Sequence, residues 1–319
     1  MSGRVVPLLL VLWVMGPGQA SAQRLLGTVR LGERGVDSVP VSLHRVTSDS
    51  AGVVSTDSTR DSGHFSFRLP AVAQDAGFTV FFVTAEFRGI RYFGPALHPG
   101  EAQDGYTVSV YDTASAPAAG QGVRVSRRDV VLVPREAGGW EVNEILRLYN
   151  PGERTLVASR PGDVWRARIP SNATEFEVGG GEIDADDVTR MGDLLLLSAP
   201  LVPGTQELFF RYRLPPTDTL RLPLDQPTGE MNLLVREPAP PLRVEGLAAT
   251  DTLQAEGERF LRYTGSDLTA AATVTVATAS TPLGPISPPL AGAGAAAVLL
   301  GVGTWIALRR RPPPTPQGR

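Results

Sequence analysis

Between residues 204 and 216 the chain reads GTQELFFRYRLPP, and every second residue changes character. Leu208, Phe210, Tyr212 and Leu214 share one parity, while Glu207, Arg211 and Arg213 share the other. Side chains alternate across a strand, so this period of two describes a strand with one face buried and one in water. The same grammar recurs. VPVSLHRV (39–46) sets Val39, Val41 and Leu43 against His44, and GHFSFRLP (63–70) sets Phe65 and Phe67 against His64 and Ser66. VWRARIP (164–170) turns Trp165, Ala167 and Ile169 inward, and FTVFFVTAEF (78–87) is apolar on both parities, as a central strand is. GYTVSVYD (105–112) closes this first block. Asp61 and Gly63 predict a tight turn. Asn150-Pro151-Gly152 and Pro203-Gly204 predict type II turns, which place Gly at positive φ. No helical period interrupts the pattern. The expected class is all-β: two tandem β-sandwiches, the second Ig-like, plus one C-terminal transmembrane helix, with an extra hairpin formed by MNLLVREP (231–238) and ATVTVATAS (272–280).

Two apolar segments bracket these blocks. At the N-terminus, Arg4 precedes an apolar run from Val5 to Met15, then helix-breaking Gly16-Pro17-Gly18, then Ala20-Ser21-Ala22. This is the layout of a signal peptide (1–22) cleaved after small residues, with Ala20 and Ala22 as the recognised positions. A retained N-terminal anchor is the alternative. Near the C-terminus, residues 290–308 carry no charge and no polar face. At about 1.5 Å per residue they reach roughly 28 Å as a helix, close to a hydrocarbon core of about 30 Å. Arg309, Arg310 and Arg311 follow and orient the basic tail (309–319) to the cytoplasm. A buried soluble helix and a cleaved sorting signal are the other readings, though no LPxTG motif precedes the segment. The expected placement is a single-pass protein of the cytoplasmic membrane with its body extracytoplasmic.

Within the body, the uncharged linker at 114–122 and the Pro-rich stalk at 280–289 set the boundaries. The expected domains are residues 23–113 and 123–279. All 33 acidic residues lie between the apolar segments, against 25 of the 30 basic ones, so the body carries a net charge of −8. That balance does not suit nucleic acid. The basic residues are all arginine, a usage that fits a high-GC bacterial coding bias.

Little in the sequence suggests chemistry. Cysteine is absent, which excludes disulfides, zinc thiolates and thiol nucleophiles. The three histidines are His44, His64 and His98, none of them in the second block, which leaves no Ser-His pair there. His98 and Glu101 stand in a Pro-Gly loop rather than on the helix that metal ligation at this spacing uses. GAGAAA (292–297) lies inside the apolar segment with no strand before it, so it is no nucleotide fingerprint. The stretch GGGEIDADDVT (179–189) reads as a glycine-led hairpin loop. Its Glu182, Asp184, Asp186 and Asp187 form a weak candidate calcium loop without EF-hand spacing. No cofactor and no catalytic residue are expected.

The order Gly27-Thr28-Val29, Val39-Pro40-Val41-Ser42-Leu43, Thr56-Asp57-Ser58 and Asp61-Ser62-Gly63-His64-Phe65-Ser66-Phe67 resembles the carboxypeptidase regulatory-like, transthyretin-like domain. The resemblance implies a seven-stranded Greek-key sandwich without enzymatic residues, serving as an accessory module. The continuation through RRDVVLVPREAGGWEVNEILRLYNPGERTLVA resembles bacterial envelope proteins that add a second β domain and a C-terminal span. The expected role is therefore a non-enzymatic, membrane-anchored binding or assembly module. It would touch membrane lipid through 290–308 and engage an unknown envelope protein. The alternative is binding of carbohydrate or a cell-wall polymer, for which Tyr92, Phe93 and Trp140 are the aromatic candidates. A hydrolase is disfavoured.

Overall fold

The computed structural model describes residues 23–278 apart from 73–77, 101–104, 118–121, 161, 163 and 256. The cleavage positions Ala20 and Ala22, the stalk, the 290–308 segment and Arg309–Arg311 lie outside the described residues. Among those described there is no α-helix, and no helix is long and apolar enough to cross a membrane. The architecture is all-β, in several sheets. The chain divides into two compact units between Val110 and Tyr111.

The first unit contains β1 (Arg24–Leu31), β2 (Arg34–Gly35), β3 (Pro40–Thr47), β4 (Ala51–Ser58), β5 (His64–Arg68), β6 (Thr79–Phe87), β7 (Ile90–Phe93) and β8 (Tyr106–Val110). β1 pairs antiparallel with β2 and β5 and parallel with β8, and the second sheet runs β4-β3-β6-β7. The predicted inward residues Val39, Val41, Leu43, Phe65 and Phe67 are all buried, and β6 lies between two partners as predicted. The unit has eight strands where the resemblance implies seven. At the turn before β5, Asp61, Ser62 and Gly63 all adopt left-handed backbone. Gly63 is required there, because a Cβ would stand 2.5 Å from the carbonyl oxygen of Val29. Its N–H donates to Asp37 Oδ1 at 2.7 Å.

Tyr106 ties the two sheets together. From β8 its hydroxyl donates to the Pro95 carbonyl at 2.6 Å and accepts the Val83 N–H of β6 at 3.0 Å. Burial of the ring pushes its pKa up to about 12, partly offset by the Val83 hydrogen bond. A phenol whose folded pKa is raised stabilises the fold below its ordinary value, and that stability is lost as pH rises from about 10 through about 12.

The second unit contains β9 (Thr113–Ser115), β10 (Arg124–Pro134), β11 (Trp140–Asn150), β12 (Thr155–Val157), β13 (Trp165–Arg168), β14 (Thr174–Val178), β15 (Val188–Met191), β16 (Leu194–Leu197) and β17 (Gly204–Leu214). It continues with β18 (Thr219–Pro223), β19 (Thr228–Arg236), β20 (Leu242–Glu245), β21 (Ala248–Ala255), β22 (Glu258–Leu268) and β23 (Thr273–Thr278). Seven strands form one sheet in the order β14-β17-β11-β10-β19-β22-β21. Opposite it stand two three-stranded sheets, β13-β16-β15 and β18-β23-β20, and one apolar core joins all three. Leu208, Phe210, Tyr212 and Leu214 of β17 enter that core with Trp165, Leu197, Leu222 and Val276. Burying each such side chain contributes roughly 1.5–3 kcal/mol.

Three expectations are corrected here. The 231–238 and 272–280 segments do not form a hairpin. β19 lies between β10 and β22, whereas β23 lies between β18 and β20, because inward residues of the two segments serve opposite layers of one core. Residues 114–122 are not wholly a linker, since β9 pairs in parallel with β12 inside the second unit. At 150–152 no type II turn forms. Gly152 is not at positive φ, and Asn150 instead holds the bend, accepting the Gly152 N–H and donating to the Arg154 and Leu201 carbonyls. Gly204 does take positive φ, at 97°.

The core of this unit also contains charge. Arg128 of β10 and Glu144 of β11 point inward and are buried, with Glu144 at 0% exposure. Arg128 reaches Glu144 Oε2 through Nε and Nη2, each at 2.8 Å, and donates to the Pro223 carbonyl at 2.8 Å. Tyr212 of β17 donates to Glu144 Oε1 at 2.6 Å. Burial and then the Glu144 charge raise the Tyr212 pKa well above the ordinary value. Removing one partner of a buried pair strands the other's charge, which costs about 3–5 kcal/mol. Arg128→Ala is therefore expected to lower unfolding stability by about that amount in chemical denaturation, and a loss under about 1 kcal/mol would refute it. In a pH-stability series, Tyr106→Phe is expected to flatten part of the decline above pH 10; an unchanged slope would count against the Tyr106 clamp.

Candidate functional site

The sheet β4-β3-β6-β7 buries one parity and presents the other. On β6, Phe81, Val83 and Ala85 are buried inward, so Phe82, Thr84 and Glu86 occupy the outer face. Residues paired directly across strands share a face. His44 of β3 pairs with Phe82 on one side and Val53 of β4 on the other, and Phe93 of β7 pairs with Thr84. Val53, His44, Phe82 and Phe93 thus form a stripe running across all four strands, from the open edge of β4 to β7.

The stripe is packed within itself and open to water at its two ends; His44 and Phe82 between them are half-buried, and Thr84 on the same face is buried. The His44 and Phe82 rings are parallel, 2° apart in plane with centroids at 4.8 Å, and Phe82 meets Phe93 at 6.0 Å. Val53 is 57% exposed and Phe93 64% exposed. Beside them Val54, an extra residue of β4 at a bulge opposite Leu43 and His44, is 39% exposed. His44 Nε2 lies 3.0 Å from Thr84 Oγ1. Burial lowers the His44 pKa, and the neighbouring Arg91 guanidinium lowers it further. Arg91 pairs with Glu86 at 3.1 Å on the same face.

The edge itself is lightly protected. β4 reads AGVVSTDS, is exposed on nearly every residue, and has one charged group, Asp57. Asp57 is held by Arg60 at 2.7 Å. Edge strands are normally guarded by lysine, proline or inward charge. The bulge is the only such device on β4.

The sequence-based candidates fare differently. Of the three aromatics, Tyr92 and Trp140 are core residues at 3% exposure each, and only Phe93 faces solvent. His64 is exposed and bonded through Nδ1 to the Asp61 carbonyl. His98 is exposed, and Glu101 lies outside the described residues. The 179–189 stretch is not a hairpin loop: it crosses from β14 of the large sheet to β15 of a small one through a single 3-10 turn at Ala185–Asp187. Glu182 is drawn away by accepting the Glu207 N–H at 2.9 Å. Among the described residues no three His, Asp or Glu side chains gather as a cation site, Glu182, Asp184, Asp186 and Asp187 included.

Phe82 was not singled out by the sequence reading. Its signal was available: a strand apolar on both parities in a two-layer unit must leave one parity outside.

No family model matches the chain, and no curated protein does. Among solved structures, it is similar to a candidate protease from Parabacteroides distasonis at 14% identity and a TM-score of 0.35, covering 51% of this chain and 41% of that one. It is also similar to an M1 zinc metallopeptidase from Deinococcus radiodurans, as an E323A mutant, at 14% identity and a TM-score of 0.33, covering 50% and 43%. The chain spans less than half the length of either structure.

Burial and the nearby Asp184 and Asp186 charges raise the Asp187 pKa, so its ionisation opposes folding. The strain is absent below the ordinary carboxylate range and grows as pH rises. Asp187→Asn is expected to raise thermal stability slightly at pH 7, by about 0.5 kcal/mol or less, and not at pH 3. A loss of stability at pH 7, or a rise in the wild type on adding millimolar calcium that the variant lacks, would restore the metal reading.

Proposed function

We propose that the protein is a non-enzymatic, single-span extracytoplasmic binding or assembly module that engages a protein partner of the cell envelope. The outer face of β4-β3-β6-β7 is its contact surface. The observation that carries the reading is the Val53–His44–Phe82–Phe93 stripe, aromatic and aliphatic, exposed at Val53 and Phe93 and continuous with the edge strand β4. Large apolar side chains in contact with one another and with solvent mark surfaces that another molecule covers. An open edge also allows an extended segment of a partner to add main-chain hydrogen bonds, with side-chain contacts supplying specificity.

In this reading the first unit is the transthyretin-like module, the second an Ig-like sandwich that carries it, and 290–308 the tether in the membrane. The secretion signal, the span and Arg309–Arg311 supply the placement. A second reading, carbohydrate binding, draws on the exposed Phe93 beside Phe82, since sugar faces stack on aromatic rings. The burial of Tyr92 and Trp140 weakens it.

The test is purification of the detergent-solubilised full chain from its own envelope. One envelope protein is expected to accompany it in fixed stoichiometry. The double variant Val53→Asp, Phe93→Asp is expected to cut that recovery on the order of tenfold with an unchanged circular-dichroism melt, because two buried unpaired charges would oppose the contact. A chain recovered alone and monomeric, or recovery that the double variant leaves intact, contradicts the proposal. Saturable binding on a glycan array that Phe93→Ala removes would install the second reading instead.

A further inference from the structure

We propose that the second unit binds one long-lived water at the seam of its divided layer, held by Trp165 Nε1 and the Arg128 guanidinium. The site lies wholly in that unit and does not depend on the contact surface of the first.

The seam comes from topology. The layer opposite the seven-stranded sheet is two separate sheets, with β13 at an edge of one and β18 at an edge of the other. The segment leaving β18 runs beside β13, and side chains bridge the two where a ladder would otherwise stand. Asp225 accepts the Arg168 N–H and pairs with the Arg168 guanidinium at 2.7 Å. Gln226 Nε2 donates to the Arg166 carbonyl at 2.6 Å. Where these bridges meet the core lies a cavity of about 20 Å³, with Arg128, Trp165, Phe210, Asp225 and Thr228 in its wall.

Two buried residues of that wall carry N–H groups in need of an acceptor. Trp165 is 1% exposed, and its Nε1–H meets no protein acceptor among the described residues. Buried N–H groups in folded proteins are hydrogen-bonded with few exceptions, so this one calls for a partner. Arg128 directs Nε and one Nη2 proton to Glu144 and one Nη1 proton to the Pro223 carbonyl. A guanidinium has five N–H groups, so one proton on each Nη remains. The wall also supplies acceptors, the Thr228 hydroxyl and the Asp225 carboxylate.

Size and charge select the occupant. A water needs about 10–15 Å³ of such space and two to four polar partners, so the cavity takes one water and nothing larger. A small anion would also accept from both donors, but charge disfavours it. Glu144 already balances Arg128, and Asp225 balances Arg168, so a halide would be an uncompensated ion taken out of bulk solvent. A neutral water accepts from Trp165 and Arg128 and donates its own protons to Thr228 or Asp225. It thereby supplies the additional hydrogen bonds that a buried ion pair requires.

The test is nuclear magnetic resonance on the detergent-solubilised full chain with its tryptophans labelled with nitrogen-15. Carbonyl-13C valine marks Trp165 alone, because Val164 is the only valine that precedes a tryptophan, and its indole follows from contacts within the residue. The Trp165 indole proton is expected to show a cross-peak to water of opposite sign in laboratory-frame and rotating-frame experiments, as cross-relaxation with a held water does. Its shift is expected to stay fixed as chloride is added. Equal signs in the two experiments mark exchange with bulk solvent and overturn the proposal, as does the lack of any cross-peak. A shift that saturates with chloride overturns it in favour of an anion.

Discussion

A β-sheet has two faces, and in the first unit the partner sheet covers only one face of β4-β3-β6-β7. The constraint is geometric: alternate side chains point to opposite sides whether or not both sides have somewhere to go. Val41, Leu43, Phe81, Val83 and Tyr92 fill the covered side. Phe82, Phe93 and Val53, of the same chemical kind, are left on the other. Ring packing between His44, Phe82 and Phe93 reduces their exposure without removing it. The proposed contact surface follows from that parity.

The second unit resolves the same constraint differently. Its seven-stranded sheet places Arg128, Glu144 and Tyr212 in the covered core and satisfies them with one another. Burying an ion pair costs desolvation free energy that its attraction barely offsets, so the cluster adds little net stability. It does fix register. Arg128 reaches Glu144 as a diagonal neighbour across β10 and β11, and Tyr212 reaches it across β11 and β17; a slip of one residue in any one of these strands would turn its member of the cluster to the other face. The other face of this sheet carries ion pairs such as Arg147–Glu207 and Arg211–Glu177, and a separate apolar cluster of Val131, Val133, Leu234 and Phe260.

Much of this was legible in sequence wherever one strand decided the matter. The parities of β3, β5 and β17 fixed which of their residues are buried, because alternation is a local property. What was not legible depended on distant partners. The parallel pairing of β10 with β19 joins segments about a hundred residues apart, and no local pattern announces it. The bend at Asn150 could have been a type II turn by composition. The strand that follows leads to β9 rather than back along β11, and the Asn150 side chain takes over the bend. In the acidic run at 182–187, Glu182 accepts the Glu207 N–H of β17, a contact no local pattern announces. For the site, Phe93 was visible in sequence as an aromatic candidate, but its company was not: Val53 and His44 join it only through cross-strand register.

The central claim is that the Val53–Phe93 face is covered in the cell. It is tested most directly by thiol labelling of Val53→Cys with a water-soluble maleimide, in intact envelopes and on the purified chain, against Thr269→Cys as an exposed reference. The account predicts that Val53→Cys labels readily when purified and is protected in the envelope, with Thr269→Cys labelling equally in both. Equal labelling of Val53→Cys in both settings would contradict it.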